Sequence, residues 1–568
     1  MKKTITLLLV LMSFLQCSVK TGKEKNRIIE GRNIIADSGM VVSAHSESSR
    51  IGVTVLKKGG NAIDAAVATE FALSVCYPEA GNIGGGGFML IRTSDGKTDV
   101  IDYREKAPAL ASRDMYLDKA GKVSESESTD THLSSGVPGT VDGMINAHSK
   151  YGKLPFKDVI QPAIDLAEKG FHVTASQAME LNANRKTFID RNSSLPAFVK
   201  DSLWKEGDIL IQKALAGTLK RIRDKGRDGF YSGMTSHLLI KEMKRGNGIL
   251  SEQDLKEYRS VSRVPLFADY KGYKIITVPP PSGGGIILIQ LLKMIEPYPI
   301  KEWGFNSYRT IHLMTEAERR AFADRSEFPG DPDFVKIPVE QLIDSKYLLD
   351  RMKNFDEKKA SLSQDIRPGS PEGYISGETT HYSVADAAGN AVSATTTLNN
   401  TFGSGIVVDS AGFLLNDQMD DFSIKPGYPN MYGLIGGDAN SIRPGKRMLS
   451  SMTPSIVEKD GKLFLILGSP GGSTIPTTVF QVIVNVIDFG MNIQQAVDAG
   501  RLHHQWLPDW ISYEKDAVDS LTFVKLKEMG HQLKERSTLG RVNAIMILHE
   551  GEKTGGADKR GNNCSSGY

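Results

Sequence analysis

The stretch TTHYSVADAAGNAVSATTTL, residues 379–398, contains threonines whose spacing could support acyl transfer. Two runs, HYSVAD and AVSATTTL, predict antiparallel strands joined by a DAAGN turn, in which Gly389 tolerates a positive φ. Thr379 lies nine residues before Ala388 and Thr397 nine residues after it, so an unbulged hairpin places the two side chains opposite each other. Facing threonines are also an ordinary feature of β-sheets, so the pairing alone does not distinguish catalysis from structure.

The position of Thr379 favours a catalytic role. It begins the first strand, directly after the segment RPGSPEGYISG, which predicts a loop that can be cut. A threonine inside a chain is a weak nucleophile, whereas at a new N-terminus its own α-amine, with a pKa of about 8, can accept the hydroxyl proton. We therefore predict cleavage between Glu378 and Thr379, with the Thr379 Oγ attacking the Glu378 carbonyl.

A second segment, KLFLILGSPGGSTIPTTVF, predicts a strand, a tight turn and a helix. The backbone N–H groups of Gly471 and Gly472 would lie near the helix N-terminus, where they could stabilise an oxyanion. A phosphate loop and a plain tight turn are the alternatives, although no Gly-Lys-Ser/Thr follows as a Walker motif requires. The run GNIGGGGF precedes a strand instead of joining a strand to a helix, which argues against dinucleotide binding.

Charged residues in two further segments match the ends of an amino acid. Arg104, in DYREKAP, could bind a carboxylate through two hydrogen bonds, and Asp421 with Gln418, in NDQMDDFS, could bind an ammonium group. Arg104 could equally form an ion pair with a neighbouring carboxylate. Asp420 and Asp421 could form a glycosidase pair, but adjacent residues diverge on an extended chain, and the spacing of a calcium loop is missing.

The composition narrows the class of protein. The chain has 568 residues, 40% hydrophobic and 24% charged, with a net charge of +2, which is typical of a soluble globular protein. The small net charge and the lack of a basic cluster argue against nucleic-acid binding. His503 and His504 are interpreted as structural, because adjacent histidines point apart and no carboxylate lies at a zincin spacing. The sequence predicts no metal and no cofactor.

The remaining elements predict a layered α/β architecture. Residues from about 40 to 360 alternate helices with short strands, including the apolar helix AIDAAVATEFALSVC, which Asn61 caps and on which Cys76 is buried. From residue 379, strands such as GIVVDS, SIVEKD and KLFLILG precede the helices TIPTTVFQVIVNVIDFG and NIQQAVDAGR. Since no long linker separates the halves, we expect them to share one core.

The N-terminus predicts export. Lys2 and Lys3 precede the apolar run ITLLLVLMSFL, which is too short to span a bilayer and is typical of a signal over residues 1–17. Cys17 ends this run as the acylated cysteine of a lipoprotein would, which predicts a lipid anchor. Ordinary cleavage is the alternative, because Phe14-Leu15-Gln16 fits a lipobox poorly. Either interpretation places the mature protein in the periplasm or cell envelope.

Taken together, the motifs resemble those of the γ-glutamyltransferases, also called γ-glutamyl transpeptidases or glutathione hydrolases. The matching segments, in chain order, are GGNAIDAAVA, GNIGGGGFM, DYREKAP, SGVPGTVDG, PPPSGGG, EAERRAFADRSEFPGDPDF, TTHYSVAD, TLNNTFGSG, LLNDQMDDFS, YGLIGGDAN, RMLSSMTPS and GSPGGS. The resemblance extends from about residue 30 to the C-terminal Gly-Tyr. The polar C-terminal segment GGADKRGNNCSSGY departs from the family pattern.

The resemblance implies a four-layer αββα sandwich of the N-terminal-nucleophile hydrolase type. It implies autocleavage into a large subunit, residues 18–378, and a small catalytic subunit, residues 379–568, which stay associated as a heterodimer. Thr379 would be the nucleophile, Thr397 its hydroxyl partner, and Tyr432 the gating residue of a lid. The remaining implied roles are an oxyanion hole of Gly471 and Gly472, a carboxylate site of Arg104, Ser450 and Ser451, and an ammonium site of Asn399, Gln418 and Asp421.

The implied substrates are glutathione and other γ-glutamyl compounds, with water, amino acids or dipeptides as acceptors. Two alternatives remain at this point. One is a cephalosporin or glutaryl acylase with the same fold and maturation, although Arg104 and Asp421 favour a free amino-acid head group over a bare diacid. The other is an unprocessed protein that uses the fold only for binding.

Overall fold

Two antiparallel β-sheets stacked face to face form the centre of the molecule. The structure, a computed structural model, describes residues 27–367 and 379–568. Sheet I consists, in spatial order, of β1 (Ile29–Gly31), β20 (Cys564–Gly567), β3 (Met40–Ser43), β11 (Thr380–Ala385), β12 (Ala391–Thr397), β4 (Gly86–Arg92), β5 (Thr98–Asp102) and β8 (Val261–Arg263). Sheet II consists of β2 (Ile35–Ala36), β19 (Lys553–Ala557), β18 (Asn543–Ile547), β14 (Lys462–Gly468), β13 (Ser455–Lys459), β10 (Tyr273–Thr277) and β9 (Leu266–Tyr270).

Helices cover the outer faces of both sheets. Those before residue 260 lie on the side of sheet I and are α1 (Ser46–Lys57), α2 (Ala62–Cys76), α3 (Glu125–Thr129), α4 (Thr140–Tyr151), α5 (Phe156–Lys169), α6 (Ala175–Ala183), α7 (Arg185–Arg191), α8 (Lys213–Lys225), α9 (Asp228–Tyr231), α10 (Gly233–Arg245) and α11 (Glu252–Glu257). Those after residue 280 lie on the side of sheet II and are α12 (Gly284–Ile295), α13 (Ile300–Trp303), α14 (Tyr308–Glu327), α15 (Val339–Leu342), α16 (Ser345–Arg351), α17 (Ile475–Ile487), α18 (Ile493–Asp498) and α19 (Ser520–Glu528). Two small sheets complete the described elements: β6 (Phe171–His172) with β7 (Ile209–Leu210), and β15 (Leu502–His503) with β16 (Ile511–Glu514) and β17 (Leu533–Arg536).

Three apolar cores separate the four layers, and successive side chains of a strand alternate between the cores on its two sides. On β4, Met89 faces the outer helices while Leu90 faces sheet II. On β14, Ile466 faces sheet I while Leu467 faces the helices beyond sheet II. Successive side chains of a strand point to opposite faces, so strands buried on both faces are apolar throughout. This arrangement confirms the predicted αββα sandwich.

The sequence signals for element ends are also confirmed. The Asn61 side chain accepts hydrogen bonds from the Ile63 and Asp64 backbone N–H groups, and the Asp64 carboxylate accepts one from the Asn61 N–H, which completes a capping box for α2. Cys76 is buried at the end of this helix, and neither it nor Cys564 forms a disulfide within the described residues. Within the part of the chain that the structure describes, no helix is both long and apolar enough to cross a membrane.

One predicted strand is wrong. GIVVDS, residues 405–410, forms a loop that makes only an isolated bridge between Val407 and Leu414. Phe402 and Gly403 adopt positive φ just before it, and so does its first residue, Gly405, so the backbone turns instead of extending. The polar C-terminal segment, in contrast, is part of the core sheets, because β19 lies in sheet II and β20 pairs with both β1 and β3 in sheet I.

Candidate active site

The hairpin of β11 and β12 brings Thr379 and Thr397 together. Thr380 pairs with Thr396 in an unbulged register, which confirms the register predicted from the DAAGN turn. The two hydroxyl oxygens, Thr379 Oγ1 and Thr397 Oγ1, are 3.3 Å apart, and only 4% of Thr379 and 2% of Thr397 are exposed. The Asn399 backbone N–H donates to Thr397 Oγ1 at 2.9 Å, which fixes this hydroxyl from the other side.

A glycine run allows the backbone to approach this hairpin closely. A Cβ atom on Gly85 would lie 2.1 Å from the Thr397 carbonyl oxygen, and one on Gly87 would lie 2.2 Å from the Thr395 carbonyl oxygen. Neither position could hold a side chain without moving β12. The run GNIGGGGF, which the sequence shows to be no dinucleotide motif, therefore serves the packing of β4 against the threonine strand.

Contacts through Asn399 and Tyr432 connect the threonine pair with Gly472. The Tyr432 hydroxyl donates to the carbonyl oxygen of Asn399 at 3.0 Å and also contacts its Oδ1. A Cβ on Gly472 would lie 2.7 Å from the Tyr432 ring, so the ring covers this glycine directly. The predicted gating residue therefore packs between Asn399 and the glycine turn.

The glycine turn has the local shape of an anion site. Gly471 and Gly472 adopt φ values of +131° and +55°, which a side chain would strain. A short 3-10 turn, Gly472–Thr474, leads directly into α17, so the turn lies at the N-terminus of a 13-residue helix. Two adjacent backbone amides in such a turn, supported by the positive end of a helix dipole, can stabilise an oxyanion.

Arg104 and Asp421 lie at the far side of the site and contact each other. The Arg104 Nη2 forms an ion pair with Asp421 Oδ2, and its Nη1 lies 3.2 Å from Glu105 Oε2. Gln418 Nε2 donates to the same Asp421 oxygen at 2.7 Å, while Gln418 Oε1 is buried without a hydrogen-bond partner among the described residues. Both the ion-pair interpretation of Arg104 and its proximity to the predicted ammonium site thus match the structure.

The two predicted serines lie next to Arg104. Its Nε and Nη2 each donate to a backbone carbonyl at 3.3 Å, those of Met448 and Leu449. Ser450 and Ser451 follow directly and are 3% and 8% exposed. Asn399 Nδ2 donates to the Asp417 carbonyl at 3.0 Å, so contacts link the threonine pair with the segment of Gln418 and Asp421 and, through Asp421, with Arg104. Glu378 lies outside the described ranges.

Burial raises the pKa of two acidic side chains beside the site. Glu105 is fully buried, and this burial raises its pKa to about 7, although Arg104 opposes the shift. Asp417, which accepts hydrogen bonds from the Asn400 N–H and side-chain amide, has a pKa raised well above its usual value, again through burial. Burial therefore disfavours the ionised forms of Glu105 and Asp417.

Sequence reasoning missed residues that position the predicted ones. Asn440 donates from Nδ2 to the Asp421 carbonyl at 2.7 Å and accepts at Oδ1 from the Leu449 N–H at 2.9 Å. It therefore connects Asp421, of the predicted ammonium site, with the segment that carries the two serines of the predicted carboxylate site. Gln505 Nε2 donates to the Tyr432 carbonyl at 3.2 Å. Asn440 falls within the recognised YGLIGGDAN motif, but nothing in the spacing of Gln505 indicates this contact.

Three side chains of types that bind metal ions lie together away from this site, and they form hydrogen bonds and ion pairs with protein groups. His312, Glu316 and His531 bring their ligand atoms within 4.8 Å of one another. His312 Nδ1 and His531 Nε2 are 2.7 Å apart, a hydrogen bond, and the Glu316 carboxylate contacts both Arg319 and Arg320. His503 and His504 are likewise hydrogen-bonded, to Thr477 and Asp509, which agrees with their interpretation as structural.

Comparisons with known proteins identify the family of this chain. The family model described as gamma-glutamyltranspeptidase matches residues 48–568. The chain is 47% identical over 541 residues, 94% of its length and 92% of the relative's, to a glutathione hydrolase proenzyme of Escherichia coli. It is also 37% identical to the acylase ACY 1 proenzyme of a Pseudomonas species, over 91% of each chain.

Solved structures share the architecture. The crystal structure of cephalosporin acylase from Bacillus halodurans superposes with a TM-score of 0.84, at 26% identity, covering 95% of this chain and 97% of that one. Helicobacter pylori gamma-glutamyltranspeptidase gives 0.56 at 44% identity, covering 58% of this chain and 94% of that one. The fold is that of the N-terminal-nucleophile hydrolases, and the chain belongs to the γ-glutamyltranspeptidase family.

Proposed function

We propose that this chain is the proenzyme of a γ-glutamyl transpeptidase with glutathione hydrolase activity. The observation that carries the proposal is the position of Thr379: its hydroxyl lies 3.3 Å from that of Thr397, and Asn399, which contacts Thr397, also donates to the Asp417 carbonyl, next to Gln418 and the Arg104–Asp421 ion pair. A nucleophile beside an amino-acid binding site matches a γ-glutamyl donor. The curated relatives named glutathione hydrolase proenzymes, at 40–47% identity, support the same activity.

Maturation follows from the chemistry of Thr379. Its Oγ attacks the Glu378 carbonyl, the peptide bond to the Thr379 nitrogen breaks, and that nitrogen takes the proton to become an α-amine. Water then hydrolyses the resulting ester and restores the hydroxyl. The products are the large subunit, residues 18–378, and the small subunit, residues 379–568, which form a heterodimer.

Turnover repeats the same attack on a substrate. The α-amine accepts the Thr379 hydroxyl proton while Oγ attacks the γ-carbonyl, and the Gly471 and Gly472 amides stabilise the oxyanion. From glutathione, the Cys-Gly amine takes the proton and leaves, which gives a γ-glutamyl ester on Thr379. Water then releases glutamate, or the amine of an amino acid or dipeptide takes the γ-glutamyl group. Binding at both ends of the head group holds the carbonyl at Thr379.

The acylase alternative differs in the head group. The acylases among the relatives share fold and proenzyme character with this chain, so neither feature separates the two activities. Asp421 does separate the two activities, because the glutaryl head group of an acylase substrate has no ammonium that could bind the Asp421 carboxylate. The Asp421–Gln418 pair, with its unsatisfied Gln418 Oε1, favours a γ-glutamyl over a glutaryl donor.

We further propose that the protein is exported to the periplasm or cell envelope. The basic and apolar segment over residues 1–17 supports export, and Cys17 supports a lipid anchor. Both features lie outside the described residues. Metabolic labelling with a clickable fatty acid checks the anchor: label on the wild type and none on Cys17→Ser is expected, and an unlabelled wild type contradicts it.

Intact mass, N-terminal sequencing and donor hydrolysis together test the proposed activity. The wild type is expected to give a small chain beginning Thr-Thr-His-Tyr and to release p-nitroaniline from γ-glutamyl-p-nitroanilide. Thr379→Ala is expected to stay a single inactive chain, while Thr401→Ala, three residues after the threonine stretch and partly exposed, matures normally. A wild type that cleaves glutaryl-p-nitroanilide faster than γ-glutamyl-p-nitroanilide would favour the acylase alternative. An uncut, inactive wild type would favour the binding-protein alternative.

A further inference from the structure

Arg325 is a buried arginine beside the active site without a carboxylate partner. It lies in the last turn of α14 and is 6% exposed. Within residues 27–367 and 379–568, no carboxylate oxygen lies within 4.0 Å of its guanidinium, and its Nε has no hydrogen-bond partner. Its recorded hydrogen bond runs from Nη2 to Ser451 Oγ, at 3.2 Å.

The other deeply buried arginines of the described chain show that this is unusual. Each of them forms an ion pair with at least one carboxylate; they are Arg92, Arg104, Arg319, Arg320, Arg447 and Arg501. A buried charge that no carboxylate contacts directly is costly, so proteins rarely retain one without a purpose. Asp421 acts on Arg325 from beyond ion-pair distance and partly opposes the effect of burial. Burial lowers the pKa of Arg325 only to about 10, so the side chain remains a cation at neutral pH.

The surroundings of Arg325 fit an anion site. Its Cγ would lie 3.6 Å from a Cβ on Gly283, the residue that precedes α12, and the Gly283 N–H donates to the Ser450 carbonyl at 2.9 Å. Arg325 thus packs against the loop that carries both serines. Arg104, the cation already assigned to a substrate carboxylate, is itself compensated by Glu105 and Asp421.

We propose that Arg325 is a positioning and specificity-determining residue that makes the donor site selective for an α-carboxylate. Because Arg325 donates to Ser451 Oγ, one of the two lone pairs of this oxygen is occupied and its proton is directed away from the guanidinium. The Ser451 hydroxyl can then donate to the substrate carboxylate, and the guanidinium charge behind it, which no carboxylate contacts directly, adds attraction. This inference rests on the proposed function, since it concerns the same γ-glutamyl pocket.

Paired donors separate this role from a purely structural one. γ-Glutamyl-p-nitroanilide carries the α-carboxylate, and 4-aminobutanoyl-p-nitroanilide replaces it with hydrogen while keeping the ammonium. For the fully processed Arg325→Gln variant, we expect KM for the first donor to rise about 10–100-fold, as for the loss of a charge-assisted hydrogen bond. For the second donor, kcat/KM should change by less than about 2-fold.

Two further variants complete the test. Arg325→Lys keeps the charge but not the planar fork, so its discrimination between the donors should fall between those of the wild type and Arg325→Gln. If Arg325→Gln does not mature, the Arg325→Lys variant tests the proposal in its place. We then expect its discrimination between the two donors to fall at least about 3-fold, which is half, on a logarithmic scale, of the 10-fold effect expected for Arg325→Gln. Arg309→Gln, on the exposed part of the same helix, is the matched control and should behave as the wild type.

Equal losses on both donors, or unchanged discrimination in either variant, would overturn the role of Arg325. These outcomes leave the proposed function intact, because the wild type still cleaves the γ-glutamyl donor. A wild type that cleaves no γ-glutamyl donor overturns both, so the failure of one proposal is distinguishable from the failure of the other.

Discussion

At the scale of single residues, the Thr397 hydroxyl is the group that contacts the proposed nucleophile, Thr379 Oγ1, at 3.3 Å. Replacing it by a methyl group in Thr397→Val keeps the β-branched shape but leaves Thr379 Oγ1 and the Asn399 N–H without this partner. We expect precursor cleavage and turnover to slow by about 10–100-fold, the effect of one lost buried hydrogen bond at the reacting group. A time course of the precursor and small-subunit bands on denaturing gels measures the first effect.

Thr395→Val is the matched control for this change. Thr395 lies two residues earlier on the same strand and therefore on the same face, but its hydroxyl is 2.9 Å from His381 Nδ1 instead of Thr379. It loses a buried hydrogen bond of similar kind without touching the nucleophile. Cleavage of Thr397→Val at the wild-type rate, or equal slowing in both variants, would show that the Thr379–Thr397 contact is not specific to the chemistry.

A buried acid on α2 makes stability depend on pH. Burial raises the pKa of Glu70 from its ordinary value of 4.5 to about 8, so the folded protein binds this proton more tightly than the unfolded chain. The free energy of unfolding should therefore fall as pH rises from about 4.5 to about 8. Glu70→Gln cannot ionise, so its stability relative to the wild type should improve by on the order of 3 kcal/mol across this interval.

Urea denaturation of the Thr379→Ala proenzyme at pH 5 and at pH 8.5 measures this effect, because a single uncut chain keeps the unfolding reaction simple. Glu206→Gln, at an exposed turn, serves as the control and should show no pH-dependent difference. A stability difference between Glu70→Gln and the parent that is the same at both pH values would mean that Glu70 is ionised, or neutral, throughout.

At the scale of elements, the approach of β4 to β12 depends on glycines. In Gly85→Ala the new methyl group would lie 2.1 Å from the Thr397 carbonyl oxygen, so β12 or the turn before β4 must move. We expect a loss of more than about 2 kcal/mol in the free energy of unfolding, together with slower maturation because Thr397 is displaced. Denaturation curves and the precursor time course report the two effects separately.

Gly217→Ala is the control for Gly85→Ala, because the same substitution is expected to stabilise the protein at this position. Gly217 lies inside α8, where the nearest atom to a new Cβ is Arg221 Nη1 at 3.6 Å. Alanine should stabilise this helix by about 0.5–1 kcal/mol, because glycine loses more backbone entropy on folding. If both alanine variants destabilise to the same extent, the close contact at Gly85 is not the cause.

Sequence reasoning succeeds where local chemistry decides the structure. The DAAGN turn sets the register of β11 and β12, so the threonine pair could be predicted from spacing alone. The Asn61 capping box likewise needs only neighbouring residues. Arg325 illustrates the limit: its partner Ser451 is 126 positions away, and only the tertiary fold brings the end of α14 to that loop. GIVVDS failed for a related reason, since the preceding positive-φ residues override the β propensity of valine and isoleucine.

At the scale of the whole molecule, the proposed cut divides both sheets between two chains. In sheet I, β11 and β12 would belong to the small subunit, yet β11 pairs with β3 and β12 pairs with β4, which both precede the cut. In sheet II, β13 pairs with β10 in the same way. Removing one peptide bond leaves these ladders and the three apolar cores intact, so the interface between the subunits is the interior of the fold.

The subunits should therefore be inseparable without unfolding. We expect the processed protein to elute from size exclusion as one species at the volume of uncut Thr379→Ala, with two bands only on denaturing gels. Residues 379–568 expressed alone should aggregate, because without β3 and β4 the β11–β12 hairpin exposes both of its edges and its apolar faces. Separation of the chains in native buffer, or a soluble folded small subunit, would contradict a shared core and place the true boundary elsewhere.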